Sequence, residues 1–439
     1  MTPEIKNRIE QIQRGEVPEG YKKTRVGIVP EEWVEDTLDS YISEHKELSN
    51  EIARFVVYSS SRKGLLPQSE YYDKKEAEET NLGYKVVPCG YVTYRHMSDD
   101  DVFRFNINNT GKNILVSSEY PVFTSKSNGD LGFLIPMINE TPRFRYFCRT
   151  QKMGGTRTRL YYKNLCTYKS AFPPLAEQKK IAEILATQDK VIELQERKID
   201  ELKKLKQCYL SKMFPKRGSN VPELRFSGFT GDWEQRKFSE VFACTIPNNT
   251  LSRAELSYDD GVVLNVHYGD VLIKYGAVLN VQKDEIPRIP KKSRDDFKGA
   301  LLQDGDVIIA DTAEDETTGK ACEIGNSQGR AIVSGLHTMV CRPRFQLALG
   351  YLGYYLNSNA YHHQLLPLMQ GIKVLSLSRS NIQKTTVSYP ATAKEQQLIA
   401  SHFSKLDSLI TLNQRKLEEM KTYKKALMQL LLMGIVRVN

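Results

Sequence analysis

Two stretches of the chain carry apolar residues at alternating spacings of four and three positions. This spacing places one stripe along a helix and is typical of helices that pack against a partner helix. The positions between the stripes are mostly charged, as expected for faces exposed to solvent. The first stripe includes Ile181, Leu185, Ile192, Gln195, Ile199 and Leu202. The second comprises Ile399, Phe403, Leu406, Ile410, Asn413, Leu417 and Met420.

The two helical stretches are copies of one another. Glu177–Phe214 aligns with Glu395–Leu432 at a constant offset of 218, and 12 of the 38 positions are identical. Just upstream, Gly154–Pro173 matches Gly371–Pro390 at an offset of 217. Similarity at a fixed offset over such lengths indicates an internal repeat. We therefore expect the chain to consist of two halves with the same order of elements.

The start of the chain extends this repeat. Trp33 and Trp233, the two tryptophans of the sequence, lie 200 positions apart, and the same offset places Ile5 on Leu205. The helix predicted for Pro3–Arg14 is therefore a short copy of the same helical unit. The predicted domains are an N-terminal helical stub at 1–15, a first globular domain at 16–172, a helical spacer at 173–214, a second globular domain at 215–390, and a second helical spacer at 391–439.

The repeat also predicts how the long helices pair. If a pseudo-two-fold axis relates the halves, their helices run antiparallel, and equivalent residues meet only at the middle. Gln195 lies at the middle of the first copy, and Asn413 is its equivalent. We hypothesise that these two amides face each other, since a buried polar pair can fix the register of a coiled coil. The alternative is that they are two unrelated polar residues in a solvated part of the stripe.

Short β-rich runs separated by Gly, Pro, Asn and Asp dominate the two globular halves. Helical signal is sparse there, and is found chiefly around 347–366. The predicted fold class is therefore α+β. It consists of two pseudo-repeated β-rich globular domains, each with a mixed or antiparallel sheet, separated by two long helices that form an antiparallel coiled coil.

Composition narrows the class of protein further. The chain is 40% hydrophobic and 26% charged, with a formal net charge of +9, which weakly favours a polyanionic partner such as nucleic acid. Its seven cysteines show no C-x-x-C spacing, which argues against a zinc site and a disulfide framework and fits a reducing cytoplasm. The polar N-terminus does not resemble a signal peptide, and no apolar run is long enough for a membrane span.

Motifs for catalysis are absent from the sequence. The segment "EDETTGKAC" lacks the leading Gly and the Ser/Thr of a phosphate-binding loop, and "AFPPLAE" lacks the polar residue of an amino-methyltransferase motif. The seven histidines form no metal-binding pattern. We therefore predict that the chain has no catalytic residues and no metal-binding residues. The acidic clusters at 98–102 and 311–316 are interpreted as surface loops.

Several segments suit contact with DNA, because they combine Gly, hydroxyl, amide and basic residues. They are Ser59–Tyr72, Thr124–Asp130, Met153–Asn164 and Gln370–Asn381, and the last two are equivalent in the repeat. For any one of these residues, a place in a solvated loop is about as good an interpretation as a contact with DNA. The clustering of such residues in both halves favours DNA contact for the group. The candidate DNA-binding residues are Arg62, Lys63, Lys126, Arg157, Arg159, Lys373 and Arg379.

The duplicated helix carries a family resemblance. "PPLAEQKKIAEIL" and "KEQQLIASHF" resemble the start of the helical regions of specificity subunits of type I restriction–modification enzymes. The Trp lead-ins and the stretch "KGLLPQSEYYDKKEAEETNLGYKVVPCGYVTY" are also similar to that family, so the resemblance covers nearly the whole chain. The second copy departs from the pattern, with "YPATAKEQ" where Pro-Pro-Leu is more usual.

The resemblance implies a non-catalytic subunit of a larger cytoplasmic complex. Each globular half would be a target recognition domain that reads one part of a bipartite, asymmetric site in double-stranded DNA, and the coiled coil would set the spacing between the parts. Two modification (methyltransferase) subunits would dock on it, and restriction subunits with ATP-driven translocation and nuclease activity would join them. The chain itself would bind no cofactor, while S-adenosylmethionine, ATP and magnesium would belong to the partner subunits.

Two other classes of protein remain open from the residues alone. A scaffold or adaptor that binds proteins through two β-rich modules on a coiled coil would explain the repeat equally well, although it would not need the basic segments. An enzyme with its own nuclease or methyltransferase site is disfavoured by the missing motifs.

Overall fold

The computed structural model describes residues 2–50, 55–68, 82–152 and 156–438. These residues divide into two compact units. The first unit comprises Met1–Gln195 and Lys416–Asn439, and the second comprises Glu196–Arg415. Both divisions fall inside long helices, Leu175–Lys212 and Ala393–Leu432, so each unit holds part of each helix.

Outside these two long helices, the helical elements are short. In the first unit the described helices are Pro3–Arg14, Leu38–Ser40 (3₁₀), Leu131–Glu140, Pro142–Thr150 and Tyr162–Cys166. In the second they are Phe238–Val241, Arg253–Glu255 (3₁₀), Tyr268–Ile273, Arg294–Phe297 (3₁₀), Tyr351–Leu356, Asn359–His362, Leu366–Leu368 (3₁₀) and Arg379–Ile382. The N-terminal helix ends at Gly15, which adopts the left-handed conformation (φ 77°) that Gly accommodates best.

Sheets of short strands form the body of the first unit, and their described strand pairings are antiparallel. The strands are Tyr21–Thr24, Gly27–Pro30, Val34–Thr37, Ile42–Glu44, Tyr58–Ser61, Gly64–Pro67, Lys85–Val87, Val92–Thr93, Met97–Ser98, Asn106–Ile107, Ile114–Val116, Val122–Ser125, Thr158–Arg159 and Lys169–Phe172. Aromatic and aliphatic side chains from these strands pack with the start of the first long helix and the end of the second.

The second unit is built around mixed sheets. In the largest, the edge strand Phe242–Ala243 pairs with Thr338–Pro343, and the order continues through Val307–Ala310 and Ala321–Gly325 to Val278–Asn280, which pairs in parallel. The remaining strands are Glu234–Lys237, Val263–Val266, Arg288–Ile289, Thr312–Ala313, Ile332–Ser334, Leu375–Ser376 and Thr386–Tyr389. The mixed or antiparallel sheets expected from the sequence are thus both found.

The repeat is visible in the register of one strand pair. Val34–Thr37 pairs with Lys169–Phe172, so that Val34 lies opposite Phe172. In the second unit Glu234 lies opposite Tyr389. These positions differ by 200 and 217 residues, which are the two offsets found in the sequence. The strands beside each tryptophan are therefore equivalent in both halves.

The first half contains more helix than predicted. Leu131–Glu140 and Pro142–Thr150 form consecutive helices in a region with little helical signal in its residues. The first has apolar residues on most sides and contains Pro136, so it shows no amphipathic period. Asp130 caps it, since its carboxylate accepts a hydrogen bond from the Phe133 backbone N–H (3.3 Å).

All thirteen stripe residues are buried or half-buried. Within the first unit, Ile181 and Leu185 pack in one cluster with Leu431 and Leu432, and Lys424 forms an ion pair with Asp189. These contacts require antiparallel helices. The prediction that Gln195 and Asn413 face each other stays a prediction, and both residues are buried.

Within the second unit, the remaining segments of the two long helices are also antiparallel. Lys206 forms an ion pair with Asp407, and the ring of Tyr209 lies 4.8 Å from that of His402. Residue numbers therefore rise along one helix as they fall along the other. Both ion pairs follow the same antiparallel register, because the residue numbers 206 and 407 have the same sum as 189 and 424.

A buried carboxylate at the start of each long helix is held by an arginine. In the second unit Arg225 donates from Nε and Nη2 to Glu395 (2.6 and 2.8 Å), and the glutamate side chain is 2% exposed. In the first unit Arg437 donates to Glu177 (2.7 and 3.1 Å), which also accepts from Trp33 Nε1 (3.0 Å). Each arginine follows one long helix and contacts the start of the other.

Removing one partner of such a pair should be costly. We expect Arg225→Met to lower the free energy of unfolding by about 3–5 kcal/mol, because Glu395 would be left charged and buried. Glu395→Gln added to Arg225→Met should recover most of this loss. Arg236→Met, at the exposed pair with Glu234, is the matched control and should leave stability almost unchanged, because solvent screens that pair. Urea unfolding measures all four proteins, and equal effects of Arg225→Met and Arg236→Met would contradict the account.

Another buried carboxylate, that of Glu323, has no cationic partner among the described residues. It accepts backbone N–H bonds from Gly350 (2.8 Å) and Gly353 (2.9 Å) at the start of the helix Tyr351–Leu356. Burial, opposed by these hydrogen bonds, raises the pKa of Glu323 to about 7. An unfolded glutamate titrates near pH ~4.3.

Because its pKa is raised in the folded state, Glu323 contributes stability that is complete below about pH 4.3 and is lost as the pH rises through about 7. Relative to Glu323→Gln, the wild type should therefore lose on the order of 1 kcal/mol per pH unit across this window. Urea unfolding of both proteins from pH 4.5 to 8 measures the difference. A constant difference would show that the carboxyl does not titrate in this range.

Candidate nucleic-acid interface

Arg62 and Lys63 occupy the turn of a β-hairpin in the first unit. The strands Tyr58–Ser61 and Gly64–Pro67 pair antiparallel, with Ser61 opposite Gly64. The Ser61 hydroxyl accepts a hydrogen bond from the Lys63 backbone N–H (3.1 Å), which fixes the turn. Both basic side chains are exposed, so the hairpin presents two positive charges at its tip.

An acidic turn lies beside this hairpin tip. Asp100 forms an ion pair with Arg62, and Asp99 accepts a hydrogen bond from Arg157 Nε (2.7 Å). The Ser98 hydroxyl stabilises the turn by donating to Asp100 (2.9 Å) and accepting from the Val102 backbone N–H (3.1 Å). Asp99 and Asp100 are exposed, as expected of a surface loop, whereas Ser98 is buried at the end of the strand Met97–Ser98. The pairing of the two aspartates with candidate DNA-binding arginines was not predicted.

The hairpin and the acidic turn line one cavity of about 750 Å³. Its charged lining comprises Arg62, Lys63, Arg95, Asp99, Asp100 and Arg104. The hydrogen bond from Arg62 lowers the pKa of Asp100, so this carboxyl is ionised at neutral pH. Positive charge exceeds negative charge in the lining, as required of a surface that accepts phosphate or the acceptor atoms of guanine.

The strand Thr158–Arg159 brings a second basic segment to the same place. It pairs with Met97–Ser98, directly before the acidic turn. The Thr158 hydroxyl donates to the Asp101 carboxylate. Arg62, Lys63 and Arg157 therefore lie beside one acidic turn, and Arg159 is on the strand that pairs with Met97–Ser98. Lys126 instead donates from Nζ to the Asp39 carbonyl (2.6 Å) and does not line the cavity.

The same strand pairing recurs in the second unit, without the basic side chains of the first. The strand Leu375–Ser376 is equivalent to Thr158–Arg159 at the offset of 217, and it pairs with Thr312–Ala313. The acidic cluster at 314–316 directly follows Thr312–Ala313, as the cluster at 99–101 follows Met97–Ser98. The two acidic clusters, interpreted from the sequence only as surface loops, are thus equivalent parts of the repeat. The two clusters are separated by a constant offset of 215 residues, and this offset was the sequence signal that could have shown their equivalence.

A tight loop carries Lys373 in the second unit. Gln370 and Ser376 exchange backbone hydrogen bonds (3.0 and 2.8 Å) that close it. Gly371 has φ 126°, and a Cβ there would lie 1.9 Å from the Val374 carbonyl oxygen, so the loop requires Gly. Lys373 is exposed and Ile372 is fully exposed at the tip. An apolar side chain held out in this way was not singled out by the sequence analysis.

Arg379 lies beyond this loop, at the start of the helix Arg379–Ile382. Ser378 caps that helix by accepting a hydrogen bond from the Asn381 backbone N–H (3.2 Å). Arg379 Nη1 contacts the Cys244 carbonyl oxygen at 3.5 Å and remains exposed. The contacts of the described residues therefore give no direct link between Arg379 and Lys373, although both belong to one basic segment.

Two general features of the described residues bear on the class of site. No group of three or more His, Cys, Asp or Glu side chains in this part of the chain could hold a metal ion. None of the helices that the structure describes is long and apolar enough to cross a membrane.

Comparison with known proteins identifies the family. Residues 88–204 and 230–422 match the family described as "Type I restriction modification DNA specificity domain". These two matches cover most of the chain and both halves of the repeat. The chain therefore belongs to the type I restriction–modification DNA specificity family, as the helical motifs predicted.

Curated relatives agree with this assignment. The chain is 24% identical over 303 residues to the type I restriction enzyme MjaVIII specificity subunit of Methanocaldococcus jannaschii, with 67% of this chain and 68% of the relative covered. It is 21% identical over 453 residues to the putative type I restriction enzyme MjaX specificity subunit of the same organism, with 96% and 97% covered.

Solved structures share the fold. A chain from a study of complex assembly and conformational transition in the type I R-M system superposes with a TM-score of 0.56 at 14% identity, covering 93% of this chain and 99% of the other. The S subunit of the type I restriction–modification system from M. genitalium gives a TM-score of 0.50 at 13% identity, covering 93% and 96%.

Proposed function

We propose that this chain is the DNA sequence-specificity subunit of a type I restriction–modification complex. Each half would read one part of a bipartite, asymmetric target in double-stranded DNA. The observation that carries the proposal is the family match across both halves, together with the strand pairing beside an acidic cluster that recurs in each. A duplicated domain suits a target made of two separate parts.

In the first recognition domain, the cavity beside the hairpin tip would be the DNA-reading surface. Exposed Lys63 and Arg159 would contact phosphates, which position the protein but carry no sequence information. Arg62 and Arg157 are neutralised by aspartates in the free protein, so binding must replace those ion pairs. A guanine edge can accept two hydrogen bonds from an arginine, which suits Arg62 and Arg157 to reading bases.

The long helices would form an antiparallel coiled coil that sets the distance between the recognition domains. The within-unit ion pairs Lys206–Asp407 and Asp189–Lys424, and the buried stripe residues, support this arrangement. The first helix has 38 residues, which at about 1.5 Å per residue gives roughly 57 Å. This length corresponds to about one and a half turns of B-DNA.

The chain would contribute specificity and no catalysis. Two modification subunits would dock on the helices and recognition domains, bind S-adenosylmethionine and flip the target adenine. Restriction subunits would supply ATP-dependent, magnesium-dependent translocation and cleavage. In this proposal the chain holds no cofactor and acts in the cytoplasm.

The hairpin tip provides a direct test of DNA contact. Arg62→Ala combined with Lys63→Ala should weaken binding of target duplex at least tenfold, because two charges facing DNA are lost. The slope of log K against log salt should also fall by about one per phosphate contact removed. The measurement is fluorescence anisotropy with the full chain bound to its modification subunits, across a salt series.

Arg14→Ala is the matched control, since Arg14 is an exposed arginine paired with Glu10 on the N-terminal helix, away from the hairpin. It should leave both affinity and slope unchanged. If the hairpin variant and the control both bind DNA as tightly as the wild type, the hairpin is not part of the interface. Absence of any sequence-specific retention would favour the protein-binding adaptor instead.

The spacer role can be tested by length. Inserting seven residues into each long helix, at equivalent positions, should add about 10.5 Å. At about 3.4 Å per base pair this should lengthen the unread gap by about three base pairs or abolish modification. Sequencing of modified sites in cells that carry the variant measures the gap. Modification at the original spacing would refute the coiled coil as a ruler.

A further inference from the structure

Two cysteines of the second recognition domain lie side by side in its main sheet. The Sγ atoms of Cys244 and Cys341 are 3.3 Å apart, although the residues are separated by 97 positions in sequence. Cys341 is fully buried on the strand Thr338–Pro343, and Cys244 directly follows the edge strand Phe242–Ala243 and is half-buried. The pair is therefore reachable from solvent through Cys244.

The strand register defines the geometry of the pair. Phe242 lies opposite Pro343 and Ala243 opposite Arg342, so Cys244 lies opposite Cys341. The Arg344 backbone N–H bonds to the Val241 carbonyl (2.8 Å), which makes that pair hydrogen-bonded. Because such pairs alternate along an antiparallel ladder, the cysteines occupy a non-hydrogen-bonded position, where Cα atoms lie about 4.5 Å apart.

This separation falls at the short end of the range of roughly 4.4–6.8 Å found for disulfides. A bond between the two sulfurs would thus need little backbone movement. Because Cys244 is half-buried at the edge of the sheet, a disulfide formed here would be within reach of a soluble thiol that reduces it by exchange.

The surroundings identify the attacking sulfur. The hydrogen bond between the two thiols, followed by the nearby charges of Arg379 and Arg344, lowers the pKa of Cys244 despite its partial burial. The same hydrogen bond and complete burial raise the pKa of Cys341. A lowered pKa and access to solvent are the two properties that favour oxidation of a cysteine.

We propose that Cys244 and Cys341 form a reversible, oxidisable dithiol site in the second recognition domain. The Cys244 thiolate would attack hydrogen peroxide, giving a sulfenic acid at Cys244 and releasing water once a proton is taken up. The Cys341 sulfur would then displace the sulfenic oxygen as a second water. In total, two thiols and one peroxide give one disulfide and two waters. A dithiol reductant would restore both thiols.

Thiol counting on the full chain tests the site. Limited treatment with hydrogen peroxide should lower the number of titratable thiols from seven to five, and peptide mapping should find one cross-link between Cys244 and Cys341. Dithiothreitol should return the count to seven. This outcome does not depend on DNA binding, so it can fail while the proposed function stands.

Variants separate this pair from the other cysteines. Cys244→Ser should abolish the cross-link, and Cys341→Ala should leave Cys244 to accumulate as a sulfenic acid that a dimedone probe traps. Cys208→Ser, at an exposed cysteine on the first long helix, is the matched control and should keep the cross-link. A wild-type chain that keeps seven thiols, or loses them equally at Cys208 and Cys89, would overturn the proposal.

Discussion

Each unit depends on one buried ion pair. It joins a glutamate at the start of one long helix to an arginine beyond the end of the other. A carboxylate that stays charged away from water is costly unless a cation and hydrogen bonds compensate it. Arg437 and Glu177 are separated by 260 positions, so the end of the chain must return to the first unit. In the second unit Arg225, an internal residue, has the same role toward Glu395.

The residue after each glutamate links the start of the helix to the rest of its unit. Next to each glutamate, Gln178 or Gln396 bonds to the carbonyl of the proline that precedes the helix (2.9 and 2.8 Å). Gln178 also accepts from the Asp130 backbone N–H (2.9 Å), and Gln396 accepts from that of Ala348 (2.9 Å). The start of each long helix is thereby fixed to the body of its recognition domain. A rigid support of this kind is what a surface that reads DNA bases requires.

The long helices, the repeat and the β-rich halves could be predicted because periodicity and constant offsets are properties of sequence. The helix Leu131–Glu140 could not, since burial on most sides removes its period. The basic segments were found by composition, but the pairing of Arg62 with Asp100 and of Arg157 with Asp99 depends on strand register, which a single sequence leaves open. The Cys244–Cys341 pair could not be predicted either, because it also depends on strand register.

Two domains on one chain that read two parts of one DNA target would leave a recognisable pattern of modification. The set of modified bases in host DNA, measured when the chain is expressed with its modification subunits, tests this directly. We expect one modified motif made of two short blocks with a fixed gap, which disappears when the chain is omitted. A single uninterrupted motif, or no motif despite a stable complex with those subunits, would contradict it.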